Sequence, residues 1–300
     1  MLKIAHHPIY KHPLPEGHRF PMIKYELLPE QLLHEGSCTE DNFFNPEIPD
    51  NDPILAVHDK TYFNDLLNLQ LKPSAVRKIG FPLSSELVKR ERIIADGTIK
   101  GCHFALEHGV AMNIAGGTHH AYSEHGEAFC MLNDQAIGAR YLLSQKLARQ
   151  ILIVDLDVHQ GNGTAQIFQN EPTVFTFSMH GQANYPFKKE NSDLDIPLPK
   201  GVDDQTYLDL LQETLPKLLD QVCPDFVFYL CGVDVLGTDK LGTLGLTLNG
   251  CKTRDRFVLD TCKAYQLPVQ CSMGGGYSPD IKTIVEAHAN TFRLAQEIYF

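Results

Sequence analysis

Tryptophan is absent from this 300-residue chain, and its eight cysteines include no Cys-x-x-Cys pair. Cys38, Cys102, Cys130, Cys223, Cys231, Cys251, Cys262 and Cys271 are scattered. That spread excludes the dense spacing of a disulfide-stapled secreted fold. Several lie in apolar runs, Cys231 among them, and read as small core residues; the expected compartment is a reducing cytoplasm. Positive charge is also scarce: 26 Lys and Arg face 37 Asp and Glu, for a net charge of -11. This argues against general affinity for nucleic acid or an anionic membrane. No stretch is long enough to span a bilayer, and the start, Met1 to Pro8, has no apolar signal region. No repeat, low-complexity tract or linker divides the chain, so residues 1–300 read as one domain. A hydrophobic content of 43% suffices for a sizeable core.

What is present is an alternation of strand and helix patterns. Strands are expected at Leu2–Ala5, Val110–Ala115, Ile151–Asp157, Thr173–Met179, Phe226–Gly232 and Val269–Met273. Helices are expected at Lys24–Leu33, Phe63–Leu71, Asn133–Leu147, Thr164–Gln169, Gln205–Val222, Asn249–Tyr265 and Pro279–Phe300. A long amphipathic helix opens at Ser84, Ser85 and Glu86 and runs towards His108. Residues 34–53 and 184–201 read as polar connections, and the basic segment around Arg77 and Lys78 as a loop. The pattern predicts an α/β fold, a mostly parallel sheet with helices on both faces. In such folds ligands sit beyond the carboxyl ends of the strands.

Four strand ends carry unusual residues: Gly116-Gly-Thr-His119-His120, Asp155-Leu-Asp157-Val-His159-Gln-Gly-Asn162-Gly, Gly232-Val-Asp234 and Gly274-Gly-Gly-Tyr277. On a strand, alternate side chains share a face, so Asp155, Asp157 and His159 crowd one side. Taken singly, each cluster has a plain explanation. The histidines could belong to a capped turn, Asp234 could cap a helix, and Tyr277 could be a core aromatic. Together they would converge in one crevice. Asp157, His159 and Asp234 supply two carboxylates and an imidazole, the count of a catalytic zinc site with an open position. Water bound there becomes a nucleophile near neutral pH. His119 and His120 suit general base and acid work, and the Tyr277 hydroxyl suits a developing oxyanion. These parts add up to hydrolysis of an amide or ester.

Six motifs carry a resemblance. They are His12-Pro-Leu-Pro-Glu-Gly-His-Arg-Phe-Pro, Gly116-Gly-Thr-His-His-Ala, Phe129-Cys-Met-Leu-Asn-Asp134, Asp155 to Gly163, Gly232 to Gly242, and Gly274-Gly-Gly-Tyr277. In this order they resemble the histone deacetylase, acetylpolyamine amidohydrolase and acetoin-utilisation superfamily. The His159-Gln-Gly-Asn-Gly variant and the loop Ile79-Gly-Phe-Pro-Leu-Ser84 resemble the class IV branch and its bacterial relatives. The resemblance implies an arginase–deacetylase fold with a parallel sheet of about eight strands. It implies Zn²⁺, or Fe²⁺ in the cell, on Asp157, His159 and Asp234, and a structural K⁺ near Asp155, Asp157, His159 and the Ser178–Met179 backbone. Asp155 would orient His119, His120 would be the main base and acid with Asn162 as partner, and Tyr277 would polarise the acyl carbonyl. Phe129, Ala128, Gly275, Tyr185 and Phe187 would line a channel for an acyl-lysine-like chain. Arg19 and Met22 would line an inner cavity for the released acid.

The chain departs from the superfamily pattern in three places. Many members have aspartate where Asn162 stands, and an amide can hold a ring tautomer but cannot stabilise an imidazolium as a carboxylate does. Ala128 stands in place of the usual glycine. No aspartate near Gly80 matches the one that grips the peptide backbone in several deacetylases, which argues against histone-type recognition. The expectation is a zinc-dependent deacylase of acyl-lysine. The alternatives are a deacylase of acetylpolyamines or of long fatty acyl groups, and an inactive acyl-lysine binder.

Overall fold

The computed structural model describes the whole chain, Met1 to Phe300. Eight strands form one sheet: β1 (Lys3–Ala5), β2 (Phe43–Phe44), β3 (Val110–Asn113), β4 (Ile151–Asp155), β5 (Val174–Gly181), β6 (Leu194–Leu198), β7 (Phe226–Leu230) and β8 (Val269–Ser272). Their order is β2-β1-β3-β8-β7-β4-β5-β6. Every pairing is parallel, so the expected mostly parallel sheet is wholly so.

β3, β4, β7 and β8 are buried at every position, which demands cover on both faces. Ten α-helices connect the strands: α1 (Lys24–His34), α2 (Asn51–Leu55), α3 (Lys60–Leu67), α4 (Pro73–Ile79), α5 (Ser85–His108), α6 (Asp134–Ser144), α7 (Asn162–Phe168), α8 (Asp204–Val222), α9 (Leu248–Ala264) and α10 (Ile281–Tyr299). On one face α5 packs on β1, β3 and β8 and meets α6; on the other α10 packs on β3 and meets α1 and α9. The helix starts carry the side-chain caps that their sequences offer. Ser84 accepts from the Leu87 amide at 3.1 Å, Asn133 from Ala136 at 3.0 Å and Thr247 from Gly250 at 2.9 Å.

Because the sheet is parallel, all strands point their carboxyl ends to one edge. The four strands whose ends carry the chemistry-bearing residues, β3, β8, β7 and β4, are consecutive neighbours in it. A wholly buried guanidinium braces two of those ends. Arg254 on α9 donates to the carbonyls of Leu156 at 3.0 Å and Gly232 at 2.7 Å, and pairs with Asp255.

The structure corrects three loop expectations. The 34–53 connection contains β2 and α2, the basic segment contains α4, and the 184–201 loop contains β6. β2 and β6 are the two edge strands. The first is only two residues long and the second carries Pro197, a residue tolerated in strands chiefly at edges. α4 begins on Pro73 and ends on Gly80 at φ +87°, the usual proline-first, glycine-last asymmetry of a helix.

Candidate active site

Beyond the end of β4 the chain turns so that Asp157 and His159 face Asp234, which follows β7. One ligand atom from each lies within 4.8 Å of the others, and all three residues are buried. His159 Nδ1 is 3.0 Å from Asp157 Oδ1 and 3.2 Å from Asp234 Oδ2. The remaining carboxylate oxygens are tied to backbone amides: Gly275 donates to Asp157 Oδ2 at 2.9 Å and Val158 to Asp234 Oδ1 at 3.0 Å. Asp234 Oδ2, by contrast, is buried with no hydrogen-bond partner of acceptable geometry. Burial, with the charge of Asp157 added, pushes the Asp234 carboxyl up to about 7. Burial disfavours a charged His159, yet the two carboxylates push its pKa up to about 10. Two buried carboxylates with an orphaned oxygen call for a cation, and this oxygen–nitrogen donor set suits a divalent metal. Glycine makes the crowding tolerable. A Cβ on Gly232 would run into Asp157 Oδ2, and one on Gly275 into Asp234 Oδ2.

The tandem histidines follow β3 on a turn pinned by Asp134, which accepts from the Thr118 amide at 3.0 Å and from the Thr98 and Ser272 hydroxyls at 2.7 and 2.9 Å. The two rings have separate partners: His119 Nδ1 meets Asp155 Oδ2 at 2.7 Å, and His120 Nδ1 meets Asn162 Oδ1 at 2.6 Å. Their electrostatics diverge accordingly. Burial opposes charge on both, but Asp155 outweighs it and raises His119. For His120, burial together with the neighbouring His119 and His159 lowers the pKa well below the usual imidazole value. An accepting amide on Nδ1 leaves Nε2 as the basic atom.

Tyr277, on the glycine run after β8, is positioned by its own amide, which donates to Asp239 Oδ2 at 2.6 Å. Lys24, wholly buried, holds the same run through Gly274 O at 3.1 Å. Burial, then the charges of Asp234 and Asp157, raise the Tyr277 phenol well above its ordinary value. At neutral pH it is a hydrogen-bond donor.

A cavity of about 610 Å³ opens over these groups. Phe129, Ala128, Tyr185, Phe187 and Gly275 all line it, beside His119, His120, Asp157, His159 and Tyr277. Tyr185 stands perpendicular to the His120 ring with centroids 5.0 Å apart, and Phe187, 91% exposed, marks the mouth. The parallel pairing of Asp155 with Ser178 brings the Ser178–Met179 backbone beside the site. The six polypeptide segments named from the sequence thus meet around one crevice.

Two expectations need adjustment. Arg19 lines the cavity with an exposed side chain, not a buried inner one: its guanidinium lies over the Phe129 ring, 5.0 Å from the centroid. Met22 is in the hydrophobic core and does not line the cavity. The buried lining residues are Tyr25, Arg90 and Ile94 instead. Gly275 lines the cavity; its amide serves Asp157, and its carbonyl, which accepts from Val233 at 2.9 Å, keeps a second lone pair. Sequence spacing does not mark Glu127, Tyr122, Lys24 or Asp239 as partners of site residues, although Glu127 stands only two residues before Phe129.

A family model described as "Histone deacetylase domain" matches residues 18–292. The chain belongs to the histone deacetylase family. It is therefore a hydrolase of the class that removes amide-linked acyl groups. It is 48% identical over 296 residues to an uncharacterized protein of Picosynechococcus, covering 99% of each chain. It is 27% identical to Histone deacetylase 2 of Arabidopsis thaliana, over 87% of this chain and 70% of that one. Among solved structures, an HDAC homologue from Aquifex aeolicus superposes with a TM-score of 0.83 at 23% identity, covering 98% of this chain and 84% of that one. An HDAC homologue complexed with SAHA gives 0.83 at 24%, over 99% and 84%. These likenesses speak to the fold, which is the arginase–deacetylase fold.

Proposed function

We propose that this deacetylase-family chain hydrolyses an N-acyl amide, with an acylated lysine as the favoured substrate. The observation that carries the reading is the shared crevice. A buried Asp157–His159–Asp234 cluster, a histidine with a free Nε2 and a protonated Tyr277 all face one aromatic-walled channel. A divalent metal such as Zn²⁺, or Fe²⁺ in the cell, held by Asp157, His159 and Asp234 would supply Lewis acidity towards water and the acyl carbonyl. The chain's own residues do the rest. His120 Nε2 takes the proton from the attacking water and returns it to the departing amine. Asp155 keeps the His119 ring in place, and its carboxylate favours the charged imidazole. Tyr277 donates to the carbonyl oxygen as negative charge develops there. Phe129 and Tyr185 flank the chain that bears the acyl group.

The channel lining favours acyl-lysine over acetylpolyamine. It carries Arg19 and Lys78, and no carboxylate apart from Asp157, a poor match to a polycation. The reading extends to one catalytic domain over residues 1–300 and to a reducing cytoplasm, where all eight cysteines stay free. It includes a structural K⁺ beside Asp155 and Ser178 and no direct nucleic-acid partner. No helix is long and apolar enough to cross a membrane.

The test is an acyl series, acetyl-lysine, myristoyl-lysine and acetylpolyamine, with metal content quantified. Release of free acid from an acyl-lysine, lost with chelator and restored by Zn²⁺ or Fe²⁺, is the expected result. Tyr277→Phe should lower kcat roughly 10²-fold, as for loss of an oxyanion donor, with metal content unchanged. A metal-loaded protein inert towards every acyl amide would instead make the chain a binder.

A further inference from the structure

The amide on His120 is not the end of its line of contacts. Asn162 Nδ2 donates to Glu127 Oε1 at 2.6 Å and to the Tyr122 hydroxyl at 3.0 Å, and that hydroxyl donates onward to Glu190 at 3.2 Å. Glu127 is buried and forms an ion pair with Lys78, with His125 Nε2 at 3.7 Å from the same carboxylate. An amide has two ends of nearly equal size, and nothing in Asn162 itself dictates which one faces His120. An ionised carboxylate settles the matter, because it can only accept. It binds the NH₂ end and turns Oδ1 towards the ring, where only an N–H can meet it.

We propose that Glu127 is a positioning residue for the base, orienting the Asn162 amide so that His120 is held as the Nδ1–H tautomer with Nε2 free. The inference rests on the acyl-amide hydrolase reading given above. It assigns a task to the residue that sets this chain apart from relatives with aspartate at the Asn162 position: the carboxylate stands one residue further back, with an amide in between. Burial works against the Glu127 charge, but donors from His125, Lys78, Tyr185 and Asn162 outweigh it and hold the carboxyl well below its ordinary range. The group is therefore acceptor-only wherever the enzyme is folded and near neutral pH. The arrangement also predicts that aspartate in place of Asn162 is unfavourable. With Glu127 in place, two carboxylate oxygens would meet where the 2.6 Å bond now stands, and like charges at that range repel strongly.

The experiment compares Glu127→Gln, Asn162→Asp and the double variant with the wild type, each purified with its metal. It measures kcat and KM on the best acyl-lysine substrate. It also records the ¹⁵N–¹H spectrum of histidine-labelled protein, in which His120→Ala identifies the His120 signals. Glutamine at 127 can either donate or accept, so the Asn162 amide is free to turn. The expected result for Glu127→Gln is a kcat lower by about 10- to 100-fold, a part of the roughly 10²- to 10⁴-fold a positioned base contributes. KM should stay within about twofold, and an Nε2–H population should appear at His120. Asn162→Asp alone should lose activity, and adding Glu127→Gln to it should recover about tenfold or more, the sign of a coupled pair. Wild-type kcat in Glu127→Gln would overturn the proposal. So would a fall in kcat with His120 still wholly Nδ1–H, or an Asn162→Asp enzyme as active as the wild type. If Glu127→Gln fails to fold, Asn162→Asp alone decides: a loss of about tenfold or more supports the proposal, and activity equal to the wild type overturns it. If the wild type cleaves no acyl amide, the functional reading fails on its own; the spectra still decide the tautomer, and an Nε2–H His120 in the wild type would sink this inference.

Discussion

Two histidine–partner pairs stand side by side in the crevice, on rings whose centroids are 4.1 Å apart, and they are built differently. His119 has a carboxylate in direct contact, Asp155, carried on the last residue of a central strand. His120 has an amide in contact and a carboxylate behind it, and both come from less regular backbone: Asn162 from the first residue of α7, Glu127 from a turn. The direct carboxylate raises its imidazole, whereas burial and neighbouring positive charge lower the other. One ring is thus biased towards holding a proton and the other towards staying neutral, with a lone pair open. A pair of like groups pushed apart by environment is how acid and base roles are divided at one pH.

Deleting each ring in turn is the strongest way to break the comparison. His120→Ala should lower kcat on the order of 10³-fold, as expected for loss of a positioned base. His119→Ala should cost roughly tenfold less, since that ring supports rather than transfers. Metal content should stay near wild type in both. Steady-state kinetics with metal analysis checks this, and equal losses would erase the division of roles.

How much of this contrast could be seen in the sequence depends on where each half lies. Asp155, Asp157 and His159 alternate along one strand end, and period-two spacing declares a shared face. The same logic reached Asp234 and Tyr277, because each follows an apolar run at a strand end. Sheet interior and metal cluster were therefore readable together. Glu127 was not, because its link to Asn162 spans 35 residues and no periodicity joins a turn to a helix start. The edge strands β2 and β6 stayed hidden for a related reason: a strand with one neighbour can be short, polar or proline-bearing, and so lacks the continuous apolar signal of β4 or β7. Arg19 shows the converse case. A motif match gave its place in the chain, and the direction of its side chain, outward over Phe129, is a property of packing that a motif does not contain.

A second test asks which pair depends more on its scaffold. The loop that carries Tyr122 is held by His58, whose Nδ1 donates to the Tyr122 carbonyl at 3.0 Å and whose Nε2 accepts from the Asn133 amide at 3.0 Å. Both bonds require the neutral ring, and burial lowers its pKa from 6.5 to about 4. Since the folded value lies below the unfolded one, this stabilisation is complete above pH 6.5 and is lost as pH falls through 4. At about 1.36 kcal/mol per unit, the loss amounts to roughly 3 kcal/mol. Thermal unfolding of wild type and His58→Gln between pH 7 and 4 should show a steeper acid decline in the wild type. Parallel curves would detach His58 from the amide-bridged side.

The smallest expected effect concerns the turn that carries Glu127. Ala128 and Phe129 follow it at φ +45° and +69°, in the left-handed region that costs an ordinary residue about 1–2 kcal/mol. The strain is held in place by two backbone bonds, Ala128 N–H to Lys78 O at 3.0 Å and Phe129 N–H to Ile79 O at 2.6 Å, so the turn is tied to the same segment that supplies the Lys78 partner of Glu127. Ala128→Gly relieves one of the two strained positions. Glycine also enlarges the freedom of the unfolded chain, which takes back about 0.4–1 kcal/mol. The net gain should be no more than about 1 kcal/mol in denaturant unfolding, with kcat unchanged if the two backbone bonds alone set the turn. A fall in kcat at unchanged or higher stability would mean that the strained alanine itself aims Glu127 at Asn162. The contrast between the two histidines would then reach back to this one methyl group.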